Sequence, residues 1–205
     1  VVQSFDSLDC VILFPKGTQG ALNASVQLRE INIPDKIKNH MNITVGYDNA
    51  LVGVLGTDDR RGAVIVSDEI MKMFNIDSYM KTIGVNHIAT KEIIDNLDDN
   101  SIYDYRYIGK INNTNIAGCT DAYEIIDSSN KYKHDLYIST RKMFEKAVKL
   151  YITAEFEEAR KMFTNVLRVN ENDKVAVHYL TRCDEYINKQ KDNKDKSLGF
   201  SGYLI

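Results

Sequence analysis

The sequence predicts an α/β (α+β) protein: a sheet with helices packed on one face, followed by a small all-helical extension. Three observations predict it. Short β-branched runs alternate with helical patterns from Val1 to Asp127, the signature of a sandwich of strands and helices. The composition shifts at Asp127-Ser-Ser-Asn-Lys131, and beyond it the apolar residues recur only at helical spacing. The balance of 43% hydrophobic and 27% charged residues in 205 suits one core of ordinary size with an appendage.

The elements follow in order. Cys10-Val-Ile-Leu-Phe14 is an apolar run of strand length, stopped by Pro15 and Gly17. Ala21 to Glu30 carries Leu22, Val26 and Arg29 at helical spacing. Asn42 to Gly46 reads as a strand and Leu51 to Leu55 as its neighbour, with a turn at Tyr47-Asp-Asn49. Gly56 to Gly62 reads as a polar, glycine-bounded loop. Val64-Ile-Val66 is then extended, Ser67-Asp68 caps a helix, and Asp77 to Lys81 continues or closes it. Val85 to Ala89 is a short strand, and Thr90 caps Lys91 to Leu97. Tyr105 to Ile111 and Ala122 to Ile126 form a closing pair across the Asn-rich turn at Asn112 to Gly118.

The tail reads as three helices, Thr140 to Ile152, Phe156 to Val169 and Val175 to Ile187, with connections at Thr153-Ala-Glu155 and Asn170 to Asp173. Their stripes predict antiparallel packing. The spacing of Ala159 and Phe163 resembles a tetratricopeptide unit, but one and a half repeats describe a cap on the first domain better than a peptide-binding array. Lys189 to Lys196 is a charged linker expected to be mobile, and Leu198 to Ile205 is apolar again and expected to dock. The expected division is therefore 1–130, 131–188 and 189–205.

Composition narrows function. A net charge of −3 gives no general footing for nucleic acid or an anionic membrane. No apolar run approaches the roughly 20 residues of a membrane span. Cys10, Cys119 and Cys183 are odd in number and far apart, which suits a reducing, cytoplasmic compartment. The four histidines lack metal-ligand spacing. The first residue is not Met, so a longer parent chain, with an anchor in its missing part, is an expectation.

The stretch Gly62 to Asp77, GAVIVSDEIMKMFNID, is the candidate site. A strand entering an N-capped helix presents free backbone N–H groups, a place for a phosphate-bearing ligand. In this order the parts resemble a class III adenylate/guanylate cyclase homology domain, degenerate and of bacterial type, from about Phe5 through Asp127. The residues that carry the resemblance are Asp9 to Phe14, Leu55-Gly-Thr57 with Arg60, Val64 to Asp77 and Tyr123-Glu-Ile125. The tail is similar to an extension that follows such domains.

The resemblance implies a ferredoxin-like, cyclase-type sheet and attack of a ribose 3′-hydroxyl on the α-phosphate. Two aspartates would hold two Mg or Mn ions. An Asn and an Arg on one helix would hold the ribose and stabilise charge at phosphorus. Carried over, the Asn falls on Met71, the Arg on Asn75 and the purine-reading residue on Val64. None can do that work. The hairpin positions fall on Leu8 and Ser4, and only a one-residue slip, which turns side chains to the other face, lets Asp9 serve as a metal ligand. The first metal aspartate would lie upstream of Val1.

Each retained residue also has a plain structural role. Ser67 and Asp68 suffice as a helix cap. Arg60 and Arg61 beside Asp58 and Asp59 make an ion-paired loop. Asp6 and Asp9 are polar strand flanks, Met71 is core or interface filler, and His87 is a core histidine. Tyr103, Tyr105 and Tyr107 share one face that packs on a partner surface. The expected function is a catalytically inactive cyclase-like module for dimerisation or regulation. It needs no cofactor and no nucleic acid, and pairs as a homodimer or as a heterodimer with another cyclase-type domain. Two alternatives stand beside it: a nucleotidyl cyclase completed by a partner chain with Mg or Mn, and a scaffold whose helical tail binds protein.

Overall fold

The computed structural model describes residues 2–4, 10–15, 17–31, 34–38, 40–112, 119–192 and 202–203. The fold is α/β with a mixed sheet and a helical C-terminal region. The strands are β1 (Val2–Ser4), β2 (Cys10–Ile12), β3 (Ile43–Val45), β4 (Leu51–Thr57), β5 (Arg60–Val66), β6 (His87–Thr90), β7 (Tyr105–Asn112) and β8 (Cys119–Ile125). The helices are α1 (Thr18–Glu30), α2 (Asp35–Lys38), α3 (Asp68–Ile83), α4 (Lys91–Asp95), α5 (Lys131–Ile152), α6 (Phe156–Val169) and α7 (Lys174–Asp192).

Four strands form the central sheet in the order β3-β6-β8-β7, with β3 parallel to β6 and the other pairs antiparallel. Helices cover both faces rather than one. On one side α1 and α4 bury Leu22, Ile93 and Ile94 with Val45, Ala89 and Ile125. On the other, Ile76, Met80 and Ile83 of α3 meet Ile88, Ile108 and Ile111 of the sheet and the apolar stripes of α5, α6 and α7. The tail is therefore one continuous core with the sheet. Its aromatic centre is Phe144, Phe163 and Tyr179, with Phe163 and Tyr179 stacked at 4.9 Å between ring centroids.

Two pairings differ from the sequence reading. Leu51 to Leu55 does not lie beside β3, which takes β6 instead. The stretch read as a loop, Gly56 to Gly62, belongs to a hairpin in which β4 pairs with β5 from Leu51↔Val66 to Thr57↔Arg60. Glycines and charges suggested a loop, but Gly56 takes φ 134° beside a two-residue Asp58-Asp59 turn. A Cβ there would sit 1.8 Å from the Arg60 carbonyl oxygen, so only glycine fits. The helix read from Thr140 begins nine residues earlier, at Lys131, because the Asn130 side chain accepts from the Lys133 N–H at 3.1 Å and caps it. Lys189 to Asp192 continue α7, and 193–196 lie outside the described residues, as does most of the apolar terminus.

A β-bulge at Tyr107/Gly109 binds the tail to the sheet. Gly109 adopts φ 114°, and the Tyr179 hydroxyl donates to the Ile108 carbonyl at 2.7 Å. A side chain at Gly109 would collide with that hydroxyl, which lies 2.2 Å from the ideal Cβ position.

Next to the bulge, Arg106 is fully buried. Its Nη atoms donate to both carboxylate oxygens of Asp173, at 2.5 and 2.9 Å, and its Nε donates to Glu124 at 2.7 Å. The guanidinium lies 3.9 Å from the Phe144 ring centroid and 4.5 Å from that of Tyr137. Burial alone would favour the neutral form; the charges of Glu124 and Asp173 outweigh it and hold Arg106 protonated. Asp173 also accepts from the Ala176 N–H at 3.1 Å and so caps α7. Replacing Asp173 by Ala strands a buried cation, and the expected loss is about 3–5 kcal/mol by urea denaturation. The triple variant Arg106→Met/Glu124→Leu/Asp173→Leu, which removes all three charges, should lose much less; equal losses would contradict this role.

Candidate functional site

The candidate site begins where β5 meets α3. Ser67 has φ −158° and ψ 143°, and its Oγ accepts from the Glu69 N–H at 3.1 Å, the cap expected of it. The same hydroxyl donates to Asp48 Oδ2 at 3.0 Å. Partial burial pushes the Asp48 carboxyl up, but hydrogen bonds from Ser67 and from the backbone of Asn49 and Glu69, with the charge of Lys72, outweigh it and hold it below its usual range. The helix mouth thus already holds a carboxylate, supplied by the chain itself.

Glu69 sits behind it, buried, with a carboxylate oxygen 3.0 Å from the Lys72 ammonium. Burial raises the Glu69 carboxyl above its usual range. Gly46 makes room for this pair: a Cβ on it would lie 2.8 Å from Glu69 Cγ and 3.0 Å from Met73 Sδ. Asp48, Glu69 and Glu92 place three carboxylates around Lys72 near this mouth, and a phosphate entering it would meet like charge.

The other predicted residues do not join the site. Arg60 starts β5 and Ser67 follows its last residue, so the extended strand holds them about 20 Å apart. Val64 is half-buried in β5. Met71 is 49% exposed, so it is not core filler. Asn75 lies one turn on, half-buried, and its backbone carbonyl accepts from the Ser78 hydroxyl at 2.6 Å. Asp6, Leu8 and Asp9 lie outside the described residues, and the Ser4 side chain is not described. Among the described residues no group of three or more His, Cys, Asp or Glu side chains could hold a metal ion. The tyrosines pack within the molecule: Tyr123 meets Tyr105 edge-on at 5.8 Å and Tyr107 at 5.3 Å, and Tyr103 accepts from Gln19 Nε2 at 2.9 Å.

A cleft of about 560 Å³ lies elsewhere, between Lys81 and Gly84 at the far end of α3 and Lys174 and His178 of α7. The length of α3, roughly 24 Å, separates it from Ser67.

His87 has a serine partner, its Nε2 lying 2.9 Å from Ser25 Oγ. The Ser25 hydroxyl donates its only proton to the Leu22 carbonyl at 2.7 Å, so His87 Nε2–H must be the donor. That tautomer cannot act as a base toward Ser25. The cavity beside it, about 20 Å³, holds no more than a water molecule. The pair is a buried structural contact.

The sequence reading missed a different feature. Every residue of β4 is exposed, with Leu51 at 77%, Val54 at 68% and Leu55 at 66%. Val66, Met71 and Ile12 are exposed as well. The signal was present in Leu-Val-Gly-Val-Leu, apolar on both faces, but a strand buried on both faces reads the same way.

No family model, curated protein or solved structure matches the chain. No helix among the described residues is long and apolar enough to cross a membrane.

His87 yields a pH prediction. Burial and the charge of Arg29 push its imidazole down to about 3, against the opposing charge of Asp127. The folded value lies below the ordinary 6.5, so the unfolded chain takes up the proton first. Its contribution is complete above pH 6.5 and is lost as the pH falls toward 3. Relative to His87→Gln, the wild type should lose up to about 1.4 kcal/mol per pH unit across that window. Parallel stability profiles for the two proteins would contradict the buried neutral histidine.

Proposed function

We propose that the chain is a catalytically inactive, cyclase-like module that works by assembly, pairing through the β4–β5 hairpin with a second cyclase-type domain. The observation that carries this reading is the exposure of β4 on both faces. An isolated two-stranded hairpin is marginal in water, and its apolar faces need cover. Leu51, Val52, Val54 and Leu55 of β4 and Val66 of β5 are each half or more exposed, an uncharged apolar arm of the kind that marks an interaction site.

The helix mouth supports the inactive half of the reading. Asp48 already accepts from Ser67 and from the Glu69 backbone at that mouth, and Met71 and Asn75 stand where the resemblance needs an amide and a guanidinium. Losing one such donor typically costs on the order of 10²–10³ in rate, and here both are replaced. Mg or Mn would have a role only in an active assembly whose partner supplied the missing groups. The scaffold alternative has less support, since Phe156, Ala159, Phe163, Val175 and Tyr179 spend the tail's apolar stripes inside the core. A cytoplasmic, signalling role is part of the same proposal.

Sedimentation velocity over a concentration series, paired with a cyclic-nucleotide assay on ATP and GTP with Mn²⁺, tests it. The expected outcome is a reversible dimer and no product. Robust cyclic nucleotide from the purified chain would overturn the inactive reading; a chain monomeric throughout would overturn self-assembly.

A further inference from the structure

We propose that the partner of β4 is the β4 strand of a second copy, the two pairing antiparallel about a two-fold axis at Val54 to make one four-stranded sheet across the dimer. The inference rests on the assembly reading above and specifies its geometry.

β4 is hydrogen-bonded to β5 alone among the described strands. The far side of β5 lies near β1, which leaves the outer edge of β4 as the open side of the hairpin. A free edge presents a row of backbone donors and acceptors, and proteins ordinarily guard it with Lys, Pro or a covering element. Leu-Val-Gly-Val-Leu-Gly-Thr has no charge and no proline, and nothing among the described residues covers it.

The sequence is also complementary to itself. Antiparallel pairing centred on Val54 sets Leu55 opposite Gly53 of the other copy, Val52 opposite Gly56 and Leu51 opposite Thr57. Each glycine then faces a bulky side chain, and residues of like parity keep to the same face of the joined sheet. Gly56 is needed for the turn, but Gly53 has no such reason: a Cβ there would find nothing within 4 Å. In the paired sheet that space receives Leu55 of the second copy. No like charge opposes the approach. The seam is uncharged, and the hairpin tip balances Asp58 and Asp59 with Arg60 and Arg61, of which Arg61 and Asp58 already pair within the chain. A two-fold contact of this kind closes on itself.

Cysteine cross-linking of the full chain tests the register, in a Cys10→Ser/Cys119→Ser background that removes the exposed thiols. Opposed residues in an antiparallel pair stand about 4.5–5.5 Å apart at Cα, within disulfide reach. The Val54→Cys variant should therefore form a covalent dimer rapidly under mild oxidation. Leu51→Cys alone should not, because its copies lie about 20 Å apart. The double variant Leu51→Cys/Thr57→Cys should cross-link again. A chain that sediments as a dimer but links no faster through position 54 than through position 51 overturns the edge pairing and leaves the assembly reading intact. A chain that sediments as a monomer overturns both. As a second arm, Val54→Lys should abolish the dimer while circular dichroism retains the helical signal; a dimer that survives this change contradicts the proposal.

Discussion

A guanidinium with no access to water must be matched on every side, and Arg106 sets that condition for the whole chain. Removing an ion from water costs several kcal/mol even after relaxation. Here the cost is offset by two carboxylates from different elements, Glu124 on β8 and Asp173 ahead of α7, and by the rings of Tyr137 and Phe144 on α5. The arrangement exists only if β7, β8, α5 and the α6–α7 connection converge. That requirement explains why the C-terminal helices share a core with the sheet. It also fixes the start of α7, since Asp173 is at once ion partner and cap, and so delivers Tyr179 to the carbonyl at the bulge. Buried ion clusters are poor sources of stability but restrictive about geometry, and restriction is what this one supplies.

Against that closed body, the β4–β5 hairpin stands apart. It is anchored at its root by Ile65, which is 5% exposed, and open along its length. The same hairpin leads directly into Ser67 and the α3 mouth, where Asp48 accepts from Ser67 and from the Glu69 backbone. One stretch of chain therefore joins an apolar arm in need of cover to a helix terminus that has filled its own anion position. This combination is what supports the proposed role through contact, on the arm, over a role through chemistry.

Much of this was legible in the residues. Helix α6 was read with its observed ends, because its apolar stripe is strong and the connections on both sides are polar. Ser67 was read as a cap and is one. The failures have physical causes. In Tyr105-Arg-Tyr107 the tyrosines form the visible aromatic stripe, while strict alternation puts Arg106 on the face of Ile108, the buried one. A charged residue on a core face becomes interpretable only when its partners, 18 and 67 residues away, are in place. The loop read at Gly56 to Gly62 failed because glycine licenses a tight hairpin as readily as a coil. The resemblance groups Arg60 with Ser67 and Asp68 as nucleotide-binding candidates, and strand extension carries it to the other end of β5 from them.

Hydrogen–deuterium exchange, followed amide by amide over a range of protein concentration, tests the account most directly. It reads the closed body and the open arm in one experiment. Amides of Ile108 and Ile111 should be protected at every concentration. The amides of Leu51 to Thr57 that point away from β5 should exchange freely in dilute solution and gain protection as concentration rises. Exchange along β4 that is independent of concentration would contradict assembly through this arm.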